Sequence, residues 1–238
     1  MTALLASGYG VMFTVLDDFR DEYGIEAHWL GLIVGIGFLA GFLAQVFLAP
    51  VADRGYARRM VLAGLLLNAL GLLGMAAGET LGVLLIARFV SGIGMGMAVP
   101  AVRRIVINED PANLGSNVGL LLAADVAGFA VGPAISAVLV PAFGIPAPFL
   151  VIAAASLLCV PLVLRVHVTE ATVEPERRVA FDLLRERPII AGLMMGAAVF
   201  LMIGTFDALW AIVLDDLDAS EWLANLGITL FAVPLIFL

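Results

Sequence analysis

Three ionisable side chains, Arg88, Asp125 and Asp207, stand inside stretches that are otherwise apolar. A charge in hydrocarbon costs at least about 2.5 kcal/mol, so such residues face a partner or water and mark ion, proton or substrate paths. Arg88 and Asp125 are the only Asp, Glu, Lys or Arg residues within the first six apolar runs. Counting about 1.5 Å of rise per residue from opposite ends of adjacent runs puts them at a similar depth, as an expected ion pair or the two sides of a water-filled cavity. Asp207, in GTFDALWAIVLDD, lies one to two turns from the end of its run. Facing a cavity it would hold a cation or proton; facing outward it would be an interfacial, hydrated carboxylate. A different cluster, Asp53, Arg54, Arg58 and Arg59, is packed into LAPVADRGYARRMVL, where an acid at a helix end meets a tight basic turn.

Small residues recur beside these charges. Gly92 and Gly96 follow Arg88 at intervals of four, on its own helical face, and Gly128 and Gly132 lie one and two turns after Asp125 on its face, with Pro133 next to them. Such residues let neighbouring helices approach closely, and a proline removes one backbone hydrogen bond and bends the helix.

Other chemistries find no support. The two histidines, His28 and His167, sit near the ends of apolar runs, and neither H-E-x-x-H nor G-x-S-x-G occurs. The GIGMG string after Arg88 lacks the preceding strand and following acid of a dinucleotide site. No metal site or cofactor is expected. The single cysteine, Cys159, has no partner for a disulfide and reads as a small apolar residue. A net charge of -8, with no lysine and a pI near 4.6, argues against nucleic acid, which needs clustered basic side chains.

The elements that must position these residues are membrane helices. Of 238 residues, 63% are hydrophobic and 13% charged, against about half and about a quarter in a soluble domain. Apolar runs fall at about 1–16, 28–50, 60–77, 81–102, 115–139, 146–164, 188–214 and 222–238, each close to the roughly 20 residues that cross a bilayer as a helix. That predicts eight spans in an all-α polytopic fold, the first and last incomplete. The start of the chain has no basic region of the kind that opens a signal peptide. Ten of the twelve arginines fall in alternate connections, leaving only Arg20 opposite and Arg88 within a span. Basic residues in short connections stay on the cytoplasmic side, so the N-terminus is predicted to be cytoplasmic in an inner or plasma membrane.

The connection 165–187 is the longest and most polar, and its VAFDLLRERP segment predicts a short amphipathic surface helix. The predicted domains are therefore a six-span bundle over 1–164, a cytoplasmic linker over 165–187 and the start of a second bundle over 188–238. A repeat supports the division. VLDD occurs at Val15–Asp18 and Val213–Asp216, each followed by a Trp-Leu pair (Trp29-Leu30, Trp222-Leu223) and then Phe38 or Phe231, about 193 to 198 residues apart. A parallel duplication of a six-span unit gives this pattern, and the chain then reads as an incomplete one that stops soon after its second unit begins.

Three segments carry a family resemblance. LAPVADRGYARRMVL resembles the G-x-L-A-D-R-x-G-R-R loop between spans two and three of the major facilitator superfamily, with Asp53, Arg54 and Arg58 on the family positions, Arg59 just beyond, and Ala49 in place of the first Gly. LLIARFVSGIGMGMAVPAVRR looks like the family's Arg-led glycine-rich fourth span. Gly128, Gly132 and Pro133 match G-x-x-x-G-P-x-x-G-G, associated in the family with antiporters, with Ser136 and Ala137 replacing the last glycines. The three occur in the family's order.

The resemblance implies three-plus-three helical repeats, substrate bound midway between two halves, and proton-coupled export of a small amphipathic molecule by alternating access. In that reading Asp53, Arg54, Arg58, Arg59 and Arg88 stabilise one gate state, Gly128, Gly132 and Pro133 serve packing and gating, and Asp125, Asp207 and Arg88 are the candidate substrate or proton sites. The expected partners are a small-molecule substrate, protons and the lipid bilayer. Uptake of a metabolite or sugar fits the same fold; a non-transporting remnant and a membrane-embedded enzyme are the readings from other classes.

Overall fold

The computed structural model describes residues 1–166, 168 and 185–216, excepting the side chains of residues 200 and 203–216. Eight α-helices lie among them: α1 (Thr2–Thr14), α2 (Leu16–Tyr23), α3 (Ala27–Val51), α4 (Ala57–Ala77), α5 (Leu81–Glu109), α6 (Leu114–Phe143), α7 (Pro146–Arg165) and α8 (Arg187–Asp216). There is no strand among the described residues. The chain divides into two compact units, one holding α1–α7 and the other α8.

The apolar runs became helices because lipid offers no partner for exposed backbone groups. Among the described residues, four stretches are long and apolar enough to cross a membrane: Ala27–Ala77, Leu81–Glu109, Pro111–Phe143 and Pro146–Arg165. The first is 51 residues long, more than twice one crossing, and it folds back on itself as α3 and α4. Thr2–Thr14 is a shorter apolar helix, and Arg187–Val199 is the apolar first part of α8. The expected amphipathic linker helix, the run 222–238 and the Trp222 and Phe231 half of the repeat lie outside the described residues.

Two departures matter. Hydropathy alone puts VLDD at the end of the first run, in an outer connection. Instead Val15 breaks the helix, and Leu16–Tyr23 forms α2, whose Phe19 is buried between Tyr23 and Phe149 with ring centroids 5.6 and 6.3 Å away. Gly24, in the left-handed conformation at φ 66°, ends it. In addition, α5 runs seven residues past the expected end of its run, to Glu109, because the polar segment beyond Val102 keeps its helical hydrogen bonds in water as readily as the apolar part does in lipid.

The extensive helix pairs are α4 on α5, α3 on α5, α1 on α6 and α4 on α7. Taking α1, α3, α4 and α5, α6, α7 as two sets of three, the first helix of each set packs on the second of the other, the reciprocal pattern of a three-plus-three repeat. Interior contacts are glycine-mediated: Gly92 lies against the Gly37 backbone, Gly96 against Gly41, and Gly64 against Gly94, leaving no room for a side chain. The outside is apolar, with Phe47, Leu70, Ile86, Leu120, Phe143 and Leu158 all exposed, which water would not favour and lipid does.

Candidate functional site

The charged site candidates of the α1–α7 unit lie in two places, most of them at its arginine-rich end and one, Arg88, inside it. At the arginine-rich end the chain reverses between α3 and α4 through Ala52–Tyr56, where Arg54 leaves helical geometry and Gly55 takes φ 84°. That positive φ suits only a residue without a Cβ, which is why the basic turn is so tight. The reversal presents Asp53 to α5. Arg104 donates to the Asp53 carboxylate and also to the Asp53 carbonyl at 3.3 Å. Arg58 donates to the Leu164 carbonyl, one of the last acceptors of α7 that have no helical partner. Arg59 stands 5.2 Å over the Tyr56 ring, and Arg54 is exposed. A shallow pocket of about 450 Å³ opens among Arg58, Arg59, Leu62, Leu164 and Val168.

The arginine next to Arg104 takes a different acid. Arg103 donates to Asp125 of α6 at 3.1 Å, with Arg103 half-exposed and Asp125 mostly covered. The expected Arg88–Asp125 pair is therefore corrected: each has another partner. Arg103 lies fifteen positions after Arg88 on α5, about 22 Å along the axis, so Asp125 sits well toward the arginine-rich end. The depth estimate failed because it started from the ends of the apolar runs, whereas α5 carries its helix about two turns further.

Inside the unit, Arg88 is 1% exposed and is the largest fully buried side chain among the described residues. Its guanidinium carbon lies 3.9 Å from the centroid of the Tyr9 ring, within cation–π range. Tyr9 is itself buried and donates its hydroxyl to the Gly37 carbonyl at 3.3 Å. The Nε and Nη2 of Arg88 are buried without a hydrogen-bond partner. Its stem crosses Gly37, where an added methyl would sit 2.6 Å from Nε and about 3 Å from Cγ and Cδ. The four-residue spacing thus acts as foreseen: Arg88, Gly92 and Gly96 line one seam of α5 against Gly37 and Gly41 of α3.

On α6, Gly128 and Gly132 press against α1. A methyl on Gly128 would overlap the Ala3 carbonyl, and one on Gly132 would lie 2.5 Å from the Ser7 carbonyl oxygen. Pro133 is buried beside Gly10. Asp207 lies on α8, and its side chain is outside the described residues. His28 is exposed, 3.3 Å from Glu26; His167 is outside the described residues, and Cys159 packs at the edge of an apolar cluster.

Sequence reasoning passed over Arg103, Arg104, Tyr9 and Gly37 as site residues. The two arginines were visible but counted only for orientation, and an aromatic inside an apolar helix gives no sign that it covers a cation. Between α5 and α6, Asp110 accepts from Asn113 at 2.9 and 3.2 Å and from Asn117 at 3.3 Å. These bonds hold its carboxyl below the usual carboxylate range.

Comparison with known proteins fits this arrangement. The chain is 27% identical over 133 residues to the quinolone resistance protein NorA of Staphylococcus aureus (strain MRSA252), covering 56% of this chain and 34% of that protein. It is 26% identical over 196 residues to the multidrug resistance protein MdtG of Serratia proteamaculans (strain 568), covering 80% and 46%. Among solved structures, the inward open conformation of the xylose transporter XylE from E. coli is similar at a TM-score of 0.59 and 16% identity, over 87% of this chain and 54% of that one. The chain thus spans between a third and about half of the length of the proteins it matches. The sequence profile of the Major Facilitator Superfamily matches residues 1–238, and with its glycine-seamed helices and basic turn, the chain belongs to that superfamily.

Proposed function

We propose that the protein exports a small, amphipathic molecule in exchange for protons, by alternating access. The observation that carries the proposal is the coupling of two elements at the arginine-rich end: Asp53 in the α3–α4 turn and Asp125 in the glycine–proline helix α6, each gripped by one of two adjacent arginines of α5. A gate must hold and release helices as units, and ion pairs that are partly hydrated break and re-form at little cost. The names of the relatives, a quinolone resistance protein and a multidrug resistance protein, support efflux over uptake.

In this reading Asp53, Arg54, Arg58 and Arg59 stabilise one gate state, and Gly128, Gly132 and Pro133 let α6 slide or bend on α1. Arg88 offers its Nε and Nη2 to an acidic group, while Asp125 and Asp207 are the proton or cation sites. The N-terminus is cytoplasmic, placing the arginine-rich end inside the cell.

The test uses protein made from its complete reading frame, reconstituted in proteoliposomes with a pH gradient and loaded with ethidium. Asp53→Asn should lower the flux roughly tenfold while leaving yield and thermal midpoint nearly unchanged. Undiminished flux removes the gate assignment, and gradient-independent flux or counterflow of a sugar replaces proton-driven efflux by another transport mode.

A further inference from the structure

Arg88 poses a physical problem. A guanidinium remains cationic in proteins, and a buried cation requires compensation, yet among the described residues no carboxylate pairs with this one: in that place stands the face of Tyr9, at 3.9 Å. Three features fix that geometry. The Tyr9 hydroxyl is tied to the Gly37 carbonyl, so the ring is anchored to α3. Phe38 packs against the ring at a tilt, its centroid 5.1 Å from that of Tyr9. Gly37 leaves a bare backbone slot through which the Arg88 stem passes, whereas Gly41, one turn on, faces the Gly92 backbone. Helices α1, α3 and α5 thus converge on one guanidinium. Its planar face is covered, and its Nε and Nη2 have no acceptor. Those two donors form the edge that matches a carboxylate in bidentate fashion.

We infer that Tyr9 and Gly37 are positioning residues: an aromatic lid and a glycine slot that hold Arg88 in place of a counter-charge and keep its donor edge oriented. The role in transport rests on the efflux reading above; the clamp itself does not. The design separates a ring effect from a hydroxyl effect. Tyr9→Phe keeps the π face and loses only the bond to Gly37, whereas Tyr9→Leu removes the face. Gly37→Ala fills the slot.

The experiment is a pair of double-mutant cycles on the purified full-length protein in detergent, read as thermal midpoint. Tyr9→Leu should lower the midpoint by roughly 4 to 8 °C, and Tyr9→Phe should stay close to wild type. The cost should vanish when the cation is absent, so Tyr9→Leu/Arg88→Ala should be no less stable than Arg88→Ala. Gly37→Ala should be costly in the wild-type background and tolerated in the Arg88→Ala background, which lacks the atoms that the added methyl would strike. Where Tyr9→Leu gives no folded protein, recovery in the double variant supports the clamp. Additive losses in both cycles overturn it, as does failure of both double variants to fold.

Ethidium flux supplies the second readout. Tyr9→Phe should retain turnover, while Tyr9→Leu and Gly37→Ala, at a temperature where they remain folded, should lose roughly tenfold or more. Full flux in these two variants would reduce the clamp to a packing contact and overturn the positioning role. A wild-type protein that carries no ethidium counts against the efflux reading, and the stability cycles then decide the clamp by themselves.

Discussion

The arginines of α5 solve the same electrostatic problem in two ways. Arg103 and Arg104, at the arginine-rich end, take carboxylates from two different elements and keep part of their surface exposed. Arg88, about four turns away, takes an aromatic ring and a glycine backbone and is sealed from the surroundings. The difference follows from desolvation. Where water reaches, a charge pair loses little hydration and contributes little, about 0 to 1 kcal/mol. Where it does not, a buried pair must repay a large penalty, and a π face compensates a cation without bringing a second charge into the interior. The end is built to be reversible and the interior to be fixed.

That contrast can be broken in three places. The largest effect should come from the interior seam: Gly92→Leu would drive a side chain into the Gly37 backbone and Ala40, costing roughly 3 kcal/mol or more. Loss of monodisperse protein after extraction is the expected readout, and a well-folded Gly92→Leu protein would show that α3 and α5 are less tightly joined than described.

An intermediate effect is expected at the end. Arg103→Gln should cost about 1 kcal/mol, and less in high salt, because Arg103 is half-exposed and the pair is partly hydrated and screened, although the Asp125 carboxylate is mostly covered. The exchange Arg103→Asp with Asp125→Arg should recover most of the loss. A destabilisation as large as that of the seam variant, measured by thermal midpoint at low and high salt, would erase the distinction between the two regions.

The smallest effect concerns Asp110, fully outside the helical interior. Its carboxyl is held low by the Asn113 and Asn117 amides. A depressed folded value means that the bonds add stability above the unfolded carboxylate range and lose it as pH falls through the folded value. Protection of the α5–α6 turn against limited proteolysis should therefore decline on acidification, and Asp110→Ala should flatten that dependence. A decline that persists in Asp110→Ala would assign it to another group.

Much of this was legible in the residues. Hydrophobic run lengths located α3 through α7, the Asp-Arg-Gly string located the reversal, and the four-residue glycine spacing named the face of α5 that meets α3. Partner choice was not legible. A helical repeat tells which residues share a face and how far apart they lie along one axis, but not which neighbour that face meets. Sequence alone matches Arg88 with Asp125 because both are charges in apolar surroundings. Their separation depended on how far α5 stays helical in polar sequence, which hydropathy does not report. Tyr9 stayed hidden because the same aromatic serves equally well as plain core.

The adjacency of Arg103 and Arg104 has a mechanical consequence. Consecutive side chains leave a helix about 100° apart, so the grips on Asp125 and on Asp53 pull α5 in different directions around its circumference. A twist of this rod that slackens one grip tautens the other, and Pro100, just before the two, deprives the helix of a backbone bond at the point where torque would enter. Small axial rotation of α5 would then be read out as opposite loads on two neighbouring helices, a differential in the engineering sense.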